Sequence, residues 1–352
     1  MTYIKAIGTA TPPNKISQLQ ISSFMSNLYD ITDEEKKRIE VMYARSGIDM
    51  RYSVLDDFSN KNLNNLKPNG IDASIEKRMS LYFLYAPKLA IDAINNTVKD
   101  YNELTNITHL ITVSCTGMAA PGLDIMLVQQ LGLKPNIQRT SVNFMGCYAA
   151  IHALKLADAI CKSNEKNIVL VVSVELCTIH FQSVYTTDNI AANLLFADGA
   201  AACIVGSSPK NALYKINNFF SKLIYNGQKD MAWHLSQSGF LMTLSAYIPD
   251  LIEQNINEIF IENNIDLKNI NHFAIHPGGR KILDKIKVEL NLKENQIISS
   301  YNVLRQFGNM SSPTILFVLH DLLNQKINSN EKILAAGFGP GLTVEMFTLE
   351  TT

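Results

Sequence analysis

Three residues of this chain have types and settings that suit nucleophilic chemistry: Cys147, His276 and Asn309. Cys147 follows Gly146 at a point where extended, strand-like residues give way to a helix-periodic run. Ile151, Leu154, Ala157 and Cys161 then recur at spacings of three and four on one apolar face. A cysteine at the start of a helix meets unpaired backbone N–H groups and the positive end of the helix dipole. That setting is expected to stabilise a thiolate and lower its pKa. A cysteine chosen blindly more often packs as a small hydrophobe, so the case rests on its partners. His276 precedes Pro-Gly-Gly at a strand end, where the chain must turn and leave the imidazole uncrowded. Asn309 stands before Ser311, Ser312 and Pro313. The serines are expected to cap the following helix with the proline at its first position, which frees the Asn309 amide to donate elsewhere. A sulfur nucleophile, an imidazole and a neutral N–H donor suit formation of a carbon–carbon bond through a thioester and an enolate. A hydrolase would more often place a carboxylate behind its histidine.

The elements that would bring these groups together read as two similar halves. Polar helical residues occupy 17–46, an Asn-rich loop lies near 61–70, and a helix is expected over 74–99. Strands are expected over 109–115, 168–174 and 201–205, and the linker falls near 207–211. Beyond it come a helix over 250–264, a strand over 273–276, a helix over 312–325 and a strand over 332–336. Short landmarks recur in order. Asn106-Ile-Thr-His-Leu-Ile is echoed from Asn269, Met-Gly-Cys147 by Phe-Gly-Asn309, and Ser163-Asn-Glu-Lys from Ser329. The offsets are 163, 162 and 166 residues. Three echoes at nearly one offset point to an internal duplication. Two equivalent helix starts would then face each other at the join, with His276 arriving beside them. The expected halves are 1–206, carrying Cys147, and 207–352, carrying His276 and Asn309, in a layered α/β fold.

Composition narrows the class. Of 352 residues 47% are hydrophobic and 18% charged, as in a compact globular enzyme. A net charge of -1 without a long basic run argues against a nucleic-acid partner. No apolar run is long enough to span a bilayer and no signal-type segment leads the chain. Five cysteines without CxxC pairs or metal-type spacing suit a reduced, cytoplasmic protein that uses neither disulfides nor a metal.

Five motifs carry a resemblance: Met145-Gly-Cys147-Tyr-Ala-Ala, Phe196-Ala-Asp-Gly-Ala-Ala, His276-Pro-Gly-Gly, Gly308-Asn309-Met-Ser-Ser and Gly337-Phe-Gly-Pro-Gly-Leu-Thr. Together they resemble the chalcone synthase-like, type III polyketide synthase family along nearly the whole chain. The resemblance implies a thiolase-like duplicated αβαβα layered fold and a homodimer. It also implies iterative decarboxylative condensation of malonyl-CoA onto an acyl-CoA starter, with CoA thioesters as substrates and no cofactor. Cys147 is similar to the acyl-accepting nucleophile, and His276 with Asn309 to the pair that holds the enolate. Phe196 resembles the gatekeeper between CoA tunnel and cavity, and Ser311, Gly339 and Pro340 fall on cavity-side motifs. Arg38 and Arg45 lie on the segment that contacts CoA phosphates, where Val41 fills a further contact position.

Other cavity positions depart from the plant pattern. Cys115, Cys177 and His180 replace threonines, Trp233 stands where a glycine is usual, Met242 replaces a phenylalanine, and Ala120 replaces a methionine. This set is similar to bacterial members and implies a small or slender starter and a pyrone, resorcinol or naphthol product. A ketoacyl-ACP synthase III-like enzyme that condenses once, and a silent homologue acting as an oligomeric partner, are the competing readings.

Overall fold

The computed structural model describes residues 1–59, 63–98 and 101–352, and for 101 and 102 the backbone only. Of the expected elements, the start of the Asn-rich loop at 61–62 and helix residue 99 lie outside the described residues. Nine strands form one mixed sheet. From one edge their order is Gln138–Asn143, His109–Ser114, Ile168–Leu176, Asp198–Gly206, Thr2–Ala10, Tyr214–Leu223, Thr343–Thr351, Lys332–Gly339 and His272–Ile275. The first and second halves meet where Thr2–Ala10 pairs antiparallel with Tyr214–Leu223. About that join the order is mirrored. His109–Ser114 corresponds to His272–Ile275, Ile168–Leu176 to Lys332–Gly339, and Asp198–Gly206 to Thr343–Thr351. The echoed landmarks fall at equivalent places, since His109 and His272 each open a strand and Ser163 and Ser329 each precede one.

Side-chain alternation along the strands sorts the core into layers. Leu170, Val172 and Val174 face outward onto the helix Ile75–Thr97, together with Leu110 and Ala202. The intervening Val169 and Val171 face inward with Ile111, Val113, Ala201 and Cys203. There they meet the helices Ala149–Ser163 and Thr314–Leu322, which Ile333, Ala335 and Phe347 cover from the second half. Leu334, Ala336 and Met346 point the other way, onto Ile248–Glu262 and Arg280–Glu289. The two halves of the sheet thus enclose the helix pair and carry further helices on their outer faces, the αβαβα thiolase-like arrangement.

Two local readings are corrected. Residues 17–46 form two helices, Gln18–Leu28 and Asp33–Ala44. Thr32 and Glu35 build a reciprocal cap that starts the second helix afresh. The second-half helix spans Thr314–Leu322 with Pro313 in the capping position, one place earlier than expected, and no side chain caps it. Ser312 donates to Glu175 instead and shares a hydrogen bond of 2.9 Å with Ser173.

Candidate active site

Cys147, His276 and Asn309 line one cavity of about 700 Å³. Each arrives on a different element. Cys147 stands two residues before the helix Ala149–Ser163, on a loop that bends through Phe144 at φ 59° and Gly146 at φ 88°. His276 follows the last residue of the strand His272–Ile275, and its N–H donates to Ala336 O at 2.8 Å. Asn309 is held by a two-bond bridge. Its N–H donates to Leu195 O at 3.0 Å, and its carbonyl accepts from Ala197 N–H at 2.9 Å. That bridge seats Asn309 directly beside Phe196, which caps the helix Thr187–Leu195 and also lines the cavity.

The amide of Asn309 is oriented from behind. Its Oδ1 accepts from Ser311 N–H at 2.8 Å, which leaves the NH2 as its donating end. Ser311 in turn accepts a long hydrogen bond from Cys147 Sγ at 3.6 Å. His276 is 1% exposed, and neither ring nitrogen has a partner in the protein. A buried imidazole with both nitrogens unmatched costs free energy unless a ligand completes it.

Burial governs the charge state here. It pushes the Cys147 thiol up to about 11. The Ser311 hydroxyl opposes this, the Glu175 charge adds to it, and the Asn309 amide opposes it. The expectation of a lowered thiol pKa is thus corrected. The helix proper begins two residues later, and desolvation outweighs what its terminus offers. Burial also pushes His276 down to about 3, so the resting site holds a neutral thiol and a neutral imidazole. A neutral imidazole keeps one N–H to donate and one lone pair to accept a proton.

Glu175 was not legible as a site residue, yet it ties the floor together. It accepts from Cys115 N–H at 2.9 Å, from Thr116 Oγ1 at 2.7 Å and from Ser312 Oγ. Burial raises its carboxyl to about 7, against these hydrogen bonds. A lone acid at the end of the apolar run Ile168–Leu176 was the signal that could have found it. Asp198, from the Phe196 motif, plays a similar part. It accepts from Val54 N–H and Thr178 N–H, both at 2.8 Å, next to Arg51 and Cys177.

The wall residues expected from the sequence take distinct places. Cys115, Cys177, His180, Trp233, Met242, Ser311 and Pro340 all line the cavity. Trp233 and Met242 face each other across the hairpin formed by Met231–Ser236 and Gly239–Leu244. The indole stacks on Phe240 at 4.8 Å and leans on Phe144 at 5.3 Å, so it is braced as a fixed wall. His180 stacks on Phe240 at 4.2 Å. Its Nε2 bonds Thr116 O at 2.8 Å, and its Nδ1 accepts from Phe240 N–H at 3.3 Å. With both nitrogens engaged it shapes the wall and has none left over for proton transfer. Gly339 is not on the cavity wall; it packs against the Tyr148 ring, which stands 2.5 Å from where a Cβ would be. Arg38 and Arg45 stand exposed at the mouth with Val41 between them. Thr116, Met231, Phe240, Arg280 and Lys281 also line the cavity and were not singled out from the sequence.

The family model for the N-terminal domain of chalcone and stilbene synthases matches residues 1–209, and that for the C-terminal domain matches 215–352. A curated relative, "Probable polyketide synthase 1" of Dictyostelium discoideum, is 30% identical over 358 residues. The match covers 98% of this chain but only 11% of that protein, so the chain spans about a ninth of its relative's length. Among solved structures, the C-terminal type III polyketide synthase domain of Steely1, a type I/III hybrid from Dictyostelium, superposes with a TM-score of 0.91. It is 28% identical, with 99% of each chain covered. PKS-I from the brown alga Ectocarpus siliculosus also gives 0.91, at 25% identity, covering 100% of this chain and 98% of its own. With both domain models matching over 1–209 and 215–352, the chain belongs to the chalcone and stilbene synthase family, and it shares its fold with a type III polyketide synthase domain.

Proposed function

We propose that the protein condenses malonyl-CoA repeatedly onto an acyl-CoA starter and cyclises the product. Cys147 Sγ attacks the starter thioester; its proton passes to the neutral His276, and CoA leaves as the thiol. Malonyl-CoA then enters and loses carbon dioxide. The enolate oxygen that forms accepts hydrogen bonds from the Asn309 NH2 and a ring N–H of His276. The enolate carbon attacks the Cys147 thioester, forming the carbon–carbon bond and expelling the Cys147 sulfur. The extended CoA thioester can be transferred back to Cys147 for another round. The observation that carries this reading is that Cys147 shares one cavity with a buried His276 whose two nitrogens lack protein partners. No carboxylate hydrogen-bonds this imidazole among the described residues, which disfavours the hydrolytic alternative.

Phe196 would act as the gate, a role supported by its place beside Asn309 on the cavity lining. The braced Trp233, with Phe240 and Met242, narrows the inner cavity and favours a slender starter and a short polyketide closing to a pyrone, resorcinol or naphthol. A homodimer is supported by the edge strand Gln138–Asn143. It ends the sheet, and five of its six residues are exposed. Such an edge pairs readily with a symmetry copy of itself. Incubation with malonyl-CoA and a panel of acyl-CoAs, read by mass spectrometry, tests the activity. Cyclised products from slender acyl-CoAs are expected. Efficient conversion of coumaroyl-CoA to a chalcone would refute the small-starter assignment, and a requirement for a carrier protein with a single condensation would favour the ketoacyl-ACP synthase III-like reading.

A further inference from the structure

The chain segment 194–198, which passes Asn309, is gripped at every residue. Gln18 Nε2 donates to Leu194 O at 3.0 Å, and Asn309 N–H donates to Leu195 O at 3.0 Å. Arg51 Nη1 donates to Phe196 O at 2.7 Å, and Ala197 N–H donates to Asn309 O at 2.9 Å. Asp198 accepts from Val54 N–H and Thr178 N–H, both at 2.8 Å. Gln18 and Arg51 belong to one N-terminal unit. The strand Met50–Ser53 pairs antiparallel with Asn14–Ser17, which leads directly into the helix Gln18–Leu28. Alternation along that strand turns Arg51 and Ser53 to the same side. There Ser53 Oγ shares a hydrogen bond of 2.7 Å with Thr178 Oγ1, which donates to Asp198 at 2.6 Å.

Arg51 is the strongest of these grips. It is 4% exposed, and its Nε donates to Gln18 Oε1 at 2.9 Å, so the guanidinium is clamped at both prongs. Burial opposes its charge, while Tyr43 and Asp198 favour it. A charged donor makes the bond to the Phe196 carbonyl stronger than a neutral one would, and the planar fork fixes its direction. Its stem runs against Gly308, the residue immediately before Asn309. A Cβ at Gly308, where φ is 71°, would fall 2.9 Å from Arg51 Cγ and 3.0 Å from Cδ. The missing side chain at 308 therefore lets the arginine pass beneath the loop that carries the amide. We propose that Arg51 is a positioning residue for the condensation: locked by Gln18, it sets the bridge between Phe196 and Asn309 and so aims the Asn309 NH2 at the enolate. This rests on the condensation reading above. It adds that a cation of the first half places the enolate donor of the second.

The test separates donor placement from general damage. Release of labelled carbon dioxide from malonyl-CoA reports the enolate step, and alkylation of Cys147 by iodoacetamide reports the sulfur, which its own loop places. Arg51→Ala is expected to lower kcat for decarboxylation about 100-fold, the cost of an ångström's misplacement, with KM and the alkylation rate unchanged. Guanidinium ion below denaturing concentration should restore part of the lost rate. Gln18→Met keeps the arginine but removes its anchor, and should cost about tenfold, the size of one hydrogen bond; it serves as the test if Arg51→Ala does not fold. Crystal structures of the variants should show the Asn309 amide displaced. Decarboxylation that persists at the unaltered rate in the folded variants, an equal fall in decarboxylation and alkylation, or an unmoved Asn309 would each overturn the assignment. If the unaltered enzyme releases no carbon dioxide, the condensation reading fails, and the position of Asn309 in the variant crystals still decides whether Arg51 places it.

Discussion

Replacing Gly146 with alanine tests whether the loop before Cys147 sets the position of the nucleophile. Gly146 has φ 88°, donates its N–H to Cys115 Sγ at 3.1 Å, and accepts from Ala149 N–H at 3.0 Å. A Cβ there would lie 2.4 Å from Pro340 Cδ and 3.2 Å from Cγ, inside a ring that cannot rotate away. The left-handed backbone costs an L-residue about 1–2 kcal/mol, and the clash adds about 1–3 kcal/mol. The sum, about 2–5 kcal/mol, is a large share of the ~5–15 kcal/mol by which domains are stable. If the loop shifts by an ångström to relieve the clash, acylation of Cys147 should slow by about 100-fold. The assay follows acylation by intact mass alongside thermal unfolding. Gly132→Ala is the control: its φ is 59° with nothing within 4 Å of the new Cβ, so it should cost about 1 kcal/mol and leave acylation alone. Pro340→Ala added to Gly146→Ala removes the ring and should recover part of both losses. Wild-type stability and acylation in Gly146→Ala, or no recovery on removing Pro340, would refute the reasoning.

Three further substitutions follow. His276→Gln and Asn309→Ala should each slow malonyl-CoA decarboxylation by at least about 100-fold, the usual size of one enolate or oxyanion donor; Asn309→Ala should still accept the starter on Cys147, whereas His276→Gln, which removes the proton acceptor, should also slow acylation. Release of labelled carbon dioxide at the wild-type rate would count against the enolate role. Glu175 has a carboxyl raised to about 7 by burial, above its unfolded value, so the folded state keeps a proton that the unfolded chain releases. Its contribution is therefore complete below the unfolded pKa and is lost as pH rises through about 7, by about 3 kcal/mol in all. Glu175→Gln, nearly isosteric, should flatten that fall in a chemical-denaturation series. A variant whose stability declines with pH as steeply as the wild type would contradict the account.

Much of this was legible in the sequence because periodicity and duplication both leave marks. The apolar run over 168–174 and the three-four spacing after Cys147 became a buried strand and the central helix. The echoes at a nearly fixed offset became equivalent strand starts, His109 and His272. Less legible was the edge strand Gln138–Asn143, which is mostly exposed and carries little apolar pattern to read. The Cys147 pKa was misjudged because a motif reports local chain geometry, whereas desolvation is set by the walls folded around it. Glu175 was missed for the same reason, since what it touches, Cys115, Thr116 and Ser312, comes from distant parts of the chain.

The central claim is that one sulfur receives the starter and surrenders it to malonyl-derived carbon. Intact and peptide-level mass after exposure to an acyl-CoA measures this directly. One acyl group should map to Cys147, disappear in Cys147→Ala, persist in Cys161→Ala, and leave as cyclised product when malonyl-CoA is added. An acyl group on any other residue, or product formation undiminished in Cys147→Ala, would contradict it.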